Sequence, residues 1–437
     1  MPETHYRLLG NPGDPAATTL ADYQKRGGYV ALRQALTTLT PAQVLDEIRA
    51  ANLRGRGGAG VLTAEKMALV ARSEEGERFL VCNAYDADPR SLIARTLLTR
   101  SPHLVIEGMA LAAYAVGAHE AFLYIRGDTV LAESVRRALH EAQEQNILGR
   151  NLLGSRFSLA ITLAGADMGF MGGEESTLLQ ILKGRPAKAQ QRPPYPTAYG
   201  MQDKPTIVQN IETLVNLPII IARGGDAYRS LGTQLSPGTK LFTVIGPDGG
   251  AGTVVEVPFG ATIQEALRTA GVTAGDSSAR AVAVGGMEGG ALPLSQLSTP
   301  LDFEPLEDAG AIVGSSIVEV LRRDTCMVRW AMDRSDYLAN ESCGKCVPCR
   351  VGVKRIAGTL EGIASGIGTQ GDLDLIEEFA HYVPDGSLCG FGVNAVHPIV
   401  TAMKYFADDF ASHLNGTCPT GTCLPVRAHR YATKHVL

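Results

Sequence analysis

Positive charge is in deficit. The 437 residues carry 40 Lys and Arg against 45 Asp and Glu, a formal charge of −5 and a pI near 6.0. With no basic excess to neutralise phosphates, nucleic acid is excluded as a partner. Long apolar runs are missing too. The N-terminus, MPETHYRLLGNPGD, lacks the apolar core of a secretion signal. The longest membrane-like stretch, GMALAAYAVGA (108–118), lies between Glu107 and the pair His119 and Glu120. It is too short to cross a bilayer as a helix and reads as a buried core helix. The expectation is a cytoplasmic protein that inserts into no membrane itself and meets one only through partner subunits.

Dispersed cysteines, the mark of a disulfide framework, are also absent. Of eight cysteines, six lie at or after residue 343 and a seventh, Cys326, stands just before them. Such clustering in a large chain favours metal or redox chemistry. The 45% hydrophobic and 19% charged residues describe an ordinary globular chain long enough for two or three domains.

What is there begins with ESCGKCVPCR (341–350), which sets Cys343, Cys346 and Cys349 at two-residue intervals. The simplest fourth ligand is Cys389, 39 intervening residues further on and followed by Gly390 and Gly392. Zinc sites usually bring cysteines in separated pairs, whereas three closely spaced thiolates plus a distant fourth fit a [4Fe–4S] cube. Gly344, Gly390 and Gly392 permit close backbone approach to its sulfurs. Cys82 and Cys326 sit in apolar stretches and read as inert core residues. Cys418 and Cys423 frame CPTGTC near His413, His429 and His435. A second metal site there, with zinc or cluster ligands, and a tail with two ordinary thiols both stay open.

Along the chain, residues 28–53 read as helical, with Thr40 as N-cap and Pro41 at the first helical position. FLVCNAY (79–85), EAFLYIRG (120–127) and FSLAITLAG (157–165) read as strands, with helical patterns at 102–117 and 129–145. That alternation implies a mostly parallel α/β sheet. The proline-rich stretch at 186–205 is too long for a mere connector. TIVQNIETLVNLPIIIARGG (206–225) reads as a helix pausing near Pro218. Around 238–320, short strands surround the helical TIQEALRTAG, a small α+β domain, and from 324 to about 414 nearly everything reads as helix.

GRGGAG (55–60) satisfies G-x-G-x-x-G, but a helix precedes it where a Rossmann site needs a strand. It opens a helical stretch, so its N–H groups suit phosphates or a ring edge, with Arg56 and Lys66 adding positive charge; a tight helix–helix turn explains it equally well. GGEES (172–176) sets two carboxylates where a helix opens, either as capping acids or as ligands of a ribose or cofactor. NIET (210–213) is open in the same way.

Taken in order, LRGRGGAG, CNA, PHLVIEGM, GGEES, KPTIVQNIETL, ESCGKCVPCR and SLCG resemble the flavoprotein subunit of respiratory complex I. They equally resemble its soluble relatives, the diaphorase subunits of NAD-linked hydrogenases and formate dehydrogenases. The likeness spans nearly the whole chain. It implies a Rossmann-like α/β domain binding FMN and NAD(H), with N-terminal helices, over residues 1–235. A ubiquitin-like β-grasp domain over 236–323 and a helical [4Fe–4S] domain over 324–414 follow, then a Cys- and His-containing tail over 415–437. Cofactor contacts are implied at Gly55, Arg56, Gly57, Gly58, Gly60 and Lys66 of the glycine loop and its helix. Further contacts fall on Asn83, Asp86, Glu174, Glu175, Asn210 and Thr213, and the cluster on Cys343, Cys346, Cys349 and Cys389.

The departures from the family pattern are Val61 for phenylalanine, Ala64 for glycine and Met67 for tryptophan after the glycine loop. Tyr85 stands for aspartate, Arg90 for glycine, Phe170 for tyrosine and Gly172 for cysteine. These changes read as gathering around the flavin and nicotinamide, five of them around one cavity. The resemblance implies an electron-transfer subunit passing electrons between NAD(H) and the cluster through FMN. Its expected partners are a thioredoxin-like [2Fe–2S] subunit and further iron–sulfur or catalytic subunits. The departures leave a second reading, a non-catalytic relay or scaffold with an altered or empty pocket.

Overall fold

The computed structural model describes residues 8–10, 14–274 and 278–423. The helix expected over 28–53 is two helices, Val30–Thr38 and Pro41–Ala50. The break comes at Thr40, whose side chain accepts the Gln43 N–H while Gln43 reaches back to the Thr40 N–H. This capping box, with Pro41 in the first turn, starts a new helix rather than continuing the old one.

Four strands, β1 (Phe79–Ala84), β2 (Glu120–Arg126), β3 (Ala160–Ala166) and β4 (Thr206–Asn210), form a parallel sheet in the order β3-β2-β1-β4. Phe79, Leu80, Val81 and Cys82 on central β1 are fully buried, as a parallel strand covered on both faces requires. Burial pushes the Cys82 thiol upward, in keeping with an inert core role. The Pro102–Val116 helix is buried nearly all round, which accounts for its apolar run. Among the described residues no helix is long and apolar enough to cross a membrane.

β4 corrects the helical reading of 206–225. Its five residues pair with β1, from Phe79 against Thr206 to Asn83 against Asn210. Helices Ile211–Val215 and Leu217–Arg223 come only after it. A short apolar run carries no period that separates strand from helix, and Thr206, Ile207 and Val208 suit a buried strand. The chain leaves β1 on one side for β2 and β3 and returns on the other as β4. That reversal opens a crevice at the C-terminal ends of β1 and β4, where Asn83 and Asn210 stand side by side.

A second sheet contains β5 (Thr239–Ile245), β6 (Thr253–Pro258), β7 (Ala279–Val284), β8 (Gly290–Pro293) and β9 (Ile317–Arg322). Its order is β6-β5-β9-β7-β8, with β5 and β9 parallel at the centre and the other pairs antiparallel. The Ile263–Thr269 helix contributes Ile263, Ala266 and Leu267 to its core, completing a β-grasp arrangement. The Lys240 ammonium and the Glu212 carboxylate, 0% and 1% exposed, pair across the junction of the two sheets. Glu212 also accepts the Leu241 N–H at 2.8 Å.

The C-terminal region is helical, with Met327–Glu341, Lys354–Ala364, Gln370–Asp385, His397–Tyr405 and Ala407–Leu414 packed around Leu338, Leu360, Ile399 and Phe410. Arg90 joins all three parts. It lies against Asp88 at 3.4 Å and Glu319 of β9 at 2.7 Å, and Arg334 of the first of these helices meets Glu319 at 2.5 Å.

Candidate flavin cavity and metal centres

The glycine loop is a closed turn. Gly55 N–H donates to the Val61 carbonyl at 2.8 Å and Thr63 N–H to the Leu53 carbonyl at 2.9 Å, so the loop runs straight into the Thr63–Ala71 helix. Two of its glycines are required by close approach. A Cβ on Gly57 would lie 3.2 Å from Cβ of Asn210, and one on Gly58, where φ is +101°, would lie 2.8 Å from the Gly314 carbonyl oxygen. The loop therefore lies directly over the ends of β1 and β4.

A cavity of ≈530 Å³ fills this crevice. All twelve residues singled out from the sequence for cofactor contact line it. Asn83 Nδ2 donates to the Gly173 carbonyl at 2.9 Å, linking the end of β1 to the turn before Glu174. Asn210 ends β4 and caps the next helix, accepting the Glu212 N–H at 2.8 Å, and the Thr213 hydroxyl oxygen accepts the Arg56 N–H at 2.8 Å. The capping reading of GGEES holds for Glu174. Glu174 caps the Glu175–Leu182 helix, accepting the Thr177 N–H at 2.8 Å, while Glu175 faces the Lys66 ammonium. Asp86, held at φ +46°, accepts the Ser91 hydroxyl at 2.8 Å and the Arg95 N–H at 3.1 Å. Burial still pushes its carboxyl up to about 6.

Arg56 does not bring charge to the loop. Its guanidinium is buried, donates to the Pro237 carbonyl at 2.6 Å and to the Tyr228 hydroxyl at 3.0 Å, and lies 4.5 Å over the Phe259 ring. The β-grasp junction takes that side chain, so the cationic wall comes from Lys66 and from Arg192, which sequence reasoning passed over. Arg192 meets Glu174 at 3.0 Å and Glu175 at 2.9 Å. The length of the proline-rich loop that carries it was the one available signal.

The seven departures do not all gather at the cavity. Val61, Tyr85 and Phe170 line it. Ala64 and Met67 are packed in the core, Arg90 belongs to the ion-pair network, and Gly172 lies against Tyr85. The physical reason is the helix: positions 64 and 67 share the buried face of Thr63–Ala71, away from the loop. This removes much of what favours an empty pocket.

The cavity runs up to the cysteine centre. Gly390 and Phe391, the two residues after Cys389, form part of its wall. Cys389 caps the short Gly390–Asn394 helix, and the Phe391 and Gly392 N–H groups point at its sulfur. A Cβ on Gly392 would sit 3.2 Å from Cβ of Cys349, so the two cysteine loops meet there. Burial pushes the Cys349 thiol up to about 11 and, with the Glu174 charge nearby, Cys389 up to about 12. Four thiols held together against burial need cationic partners to ionise, and this donor set fits an iron–sulfur cluster.

A more compact tetrad lies elsewhere and corrects the reading of Cys326 as inert. Ligand atoms of Cys326, His413, Cys418 and Cys423 all lie within 4.8 Å of one another. Cys326 Sγ is 3.6 Å from His413 Nε2 and from Cys423 Sγ, and His413 Nε2 is 3.3 Å from Cys423 Sγ. A zinc ion with sulfur at about 2.3 Å and nitrogen at about 2.0 Å has tetrahedral edges of roughly 3.5–3.8 Å. The tetrad thus fits one ion rather than a cubane. His413 Nδ1 lies 2.6 Å from the Asp409 carbonyl, which leaves Nε2 free as the ligand atom. Burial pulls the His413 imidazole down, but hydrogen bonds to Cys326 and Asp409 outweigh it and raise it to about 9. Burial likewise pushes Cys418 up, yet the Thr420 hydroxyl and nearby N–H groups bring its thiol down to about 5. No sequence signal tied Cys326 to the tail, because 87 positions separate it from His413. His429 and His435 lie outside the described residues.

A crevice with a glycine loop at a strand-order reversal, next to four clustered cysteines, defines a flavin- and iron–sulfur-binding electron-transfer protein. Residues 48–219 match the Nuo51 FMN-binding domain, and residues 329–413 match the NADH-ubiquinone oxidoreductase-F iron-sulfur binding region. The chain is 37% identical over 408 residues to NADP-reducing hydrogenase subunit HndC of Solidesulfovibrio fructosivorans, covering 93% of this chain and 83% of that one. It is 35% identical over 415 residues to an NADH-quinone oxidoreductase subunit of Rhizobium meliloti, covering 94% and 98%. The solved NAD+-reducing [NiFe]-hydrogenase in its H2-reduced state superposes with a TM-score of 0.79 at 33% identity, over 97% of this chain and 70% of that one. The chain belongs to this Nuo51-type family of NADH-quinone oxidoreductase and hydrogenase subunits.

Proposed function

We propose that the chain is the electron-entry flavoprotein subunit of a multisubunit NAD(H)-linked oxidoreductase, holding FMN in the crevice and one [4Fe–4S] cluster on Cys343, Cys346, Cys349 and Cys389. One observation carries this reading: Gly390 and Phe391 belong at once to the cavity wall and to the loop of Cys389, so the two centres share a boundary. When bound, the flavin supplies the conversion between a two-electron hydride and single electrons that a cluster can accept.

The chain's own residues then bind and orient. The glycine loop and Thr213 bring backbone N–H groups to the crevice, and Lys66 with Arg192 offers the cationic wall for phosphate. Asn83 and Asn210 offer side-chain amides at the ends of β1 and β4, and the Glu174–Glu175 pair offers acceptors for ribose hydroxyls. The Phe391 and Gly392 N–H groups at Cys389 stabilise thiolate and tune the cluster. We assign a single zinc-like ion to Cys326, His413, Cys418 and Cys423, pinning the tail onto the helical region.

The family resemblance supports a thioredoxin-like [2Fe–2S] partner, a setting in a soluble hydrogenase, a formate dehydrogenase or complex I, and residence in the cytoplasm. Anaerobic purification with native partners tests the assignment. About one FMN, about four irons and bleaching of the flavin by NADH support it. Iron without flavin, and no response to NADH, restores the relay reading.

A further inference from the structure

Among the described residues, Glu288 is the one carboxyl of the cavity with an oxygen left over. It ends the Gly286–Glu288 turn between β7 and β8, is 7% exposed, and lines the cavity with Phe391 and Asn394. Its Oε2 faces Asn394 Nδ2 at 3.5 Å, while Oε1 has no hydrogen-bond partner. The other acids there are engaged: Asp86 by Ser91 and the Arg95 N–H, Glu174 by Thr177 and Arg192, Glu175 by Lys66 and Arg192, Glu212 by Lys240 and the Leu241 N–H. A buried acceptor without a partner points to a ligand that completes it.

We propose that Glu288 exchanges the proton of the transferred hydride with the flavin cavity as electrons pass between flavin and cluster, an inference that rests on the flavin reading above. A hydride is one proton and two electrons. A cluster held by these cysteines would accept electrons singly and no proton, so one proton per hydride would have to leave through a side chain of the cavity. Ionised Glu288 accepts it through Oε1, becomes the neutral acid and releases it to solvent. In the reverse direction the neutral acid donates it.

The surroundings suit this exchange. Burial and the Asp88 charge hold the Glu288 proton up to about 8, against Asn394 opposing, which places the group near working pH. Asp88 accepts the Met287 N–H at 2.8 Å, and Arg90 and Glu319 pair beside it. From the Met327–Glu341 helix, Arg334 donates to the Gly286 carbonyl at 2.9 Å. From the His397–Tyr405 helix, His397 turns to the Gly310 carbonyl at 3.2 Å instead.

The test compares wild type, Glu288→Gln and Glu288→Asp in the intact complex, with flavin and iron measured for each. In rapid mixing with NADH, the delay between flavin bleaching and cluster reduction should lengthen by ~10-fold or more in the Gln variant and lose its pH dependence. The redox-difference infrared spectrum should lose one protonated-carboxyl band in the Gln variant and keep it, shifted, in the Asp variant. A Gln variant that reduces its cluster at the wild-type rate, or retains the band, overturns the proposal alone. A wild type without flavin overturns the reading beneath it as well.

Discussion

Tyr85 occupies the space that a side chain at Gly172 would need. A Cβ placed on Gly172 lies 2.4 Å from both Cζ and the hydroxyl oxygen of Tyr85. The Tyr85 ring stacks on Tyr124 with centroids 5.3 Å apart, and its hydroxyl donates to the Gly169 carbonyl at 2.9 Å and accepts the Met168 N–H at 2.7 Å. Tyrosine at 85 and glycine at 172 are one packing solution, where the family pattern pairs an aspartate with a cysteine.

Gly172→Cys alone should therefore overpack this wall and cost about 1–3 kcal/mol in a denaturant titration. Adding Tyr85→Asp should recover most of the loss, with a coupling of at least about 1 kcal/mol. Additive effects would mean the two positions do not share this space.

Lys240→Met strands the Glu212 carboxylate in the junction between the two sheets and should destabilise by about 3–5 kcal/mol. Lys240→Met with Glu212→Gln keeps an acceptor for the Leu241 N–H without the charge, and urea titrations should show most of the stability restored. A single variant as stable as wild type would contradict the importance of the pair.

Cys389→Ser should lower iron well below about four per chain and leave flavin bound, as read by metal analysis and absorbance. Cys418→Ser should do the opposite, removing about one zinc while iron stays, with a lower midpoint of thermal unfolding. Zinc-free wild type, or an iron count near eight, would reject the single-ion assignment of the tail.

Stability should fall as pH rises through the range set by Asp86 and Glu288, held up to about 6 and about 8. Both acids keep their protons when folded at pH values where the unfolded chain has lost them, so the folded state binds more protons and the unfolding free energy declines with pH. The Asp86 contribution declines from about pH 4 to 6 and the Glu288 one from about pH 4 to 8. Denaturation midpoints across pH 5 to 8 check the sign, and Glu288→Gln should flatten the upper part of the slope.

Much of the site was legible because its chemistry is local. The two-residue spacing of Cys343, Cys346 and Cys349, the run of glycines at 55–60 and the acids at 174 and 175 each declare themselves within ten residues. β4 was misread because its five residues, TIVQN, are too few to show a period of their own and run straight into helical sequence. Arg192, Glu288 and Cys326 were missed because each acquires its role from residues distant in the chain, across a loop, a sheet or a tail.

By itself the sequence determined the family, the close spacing of Cys343, Cys346 and Cys349, the alternation behind the parallel sheet and twelve of the residues that line the crevice, since close spacing and patterning survive without a fold. Only the tertiary structure decided which charges face the cavity and which departures touch it. It turned Arg56 into the β-grasp junction, hid Ala64 and Met67 in the core and brought Cys326 to His413 and Cys423. Side-chain direction and long-range proximity come from packing, and no spacing along the chain encodes them.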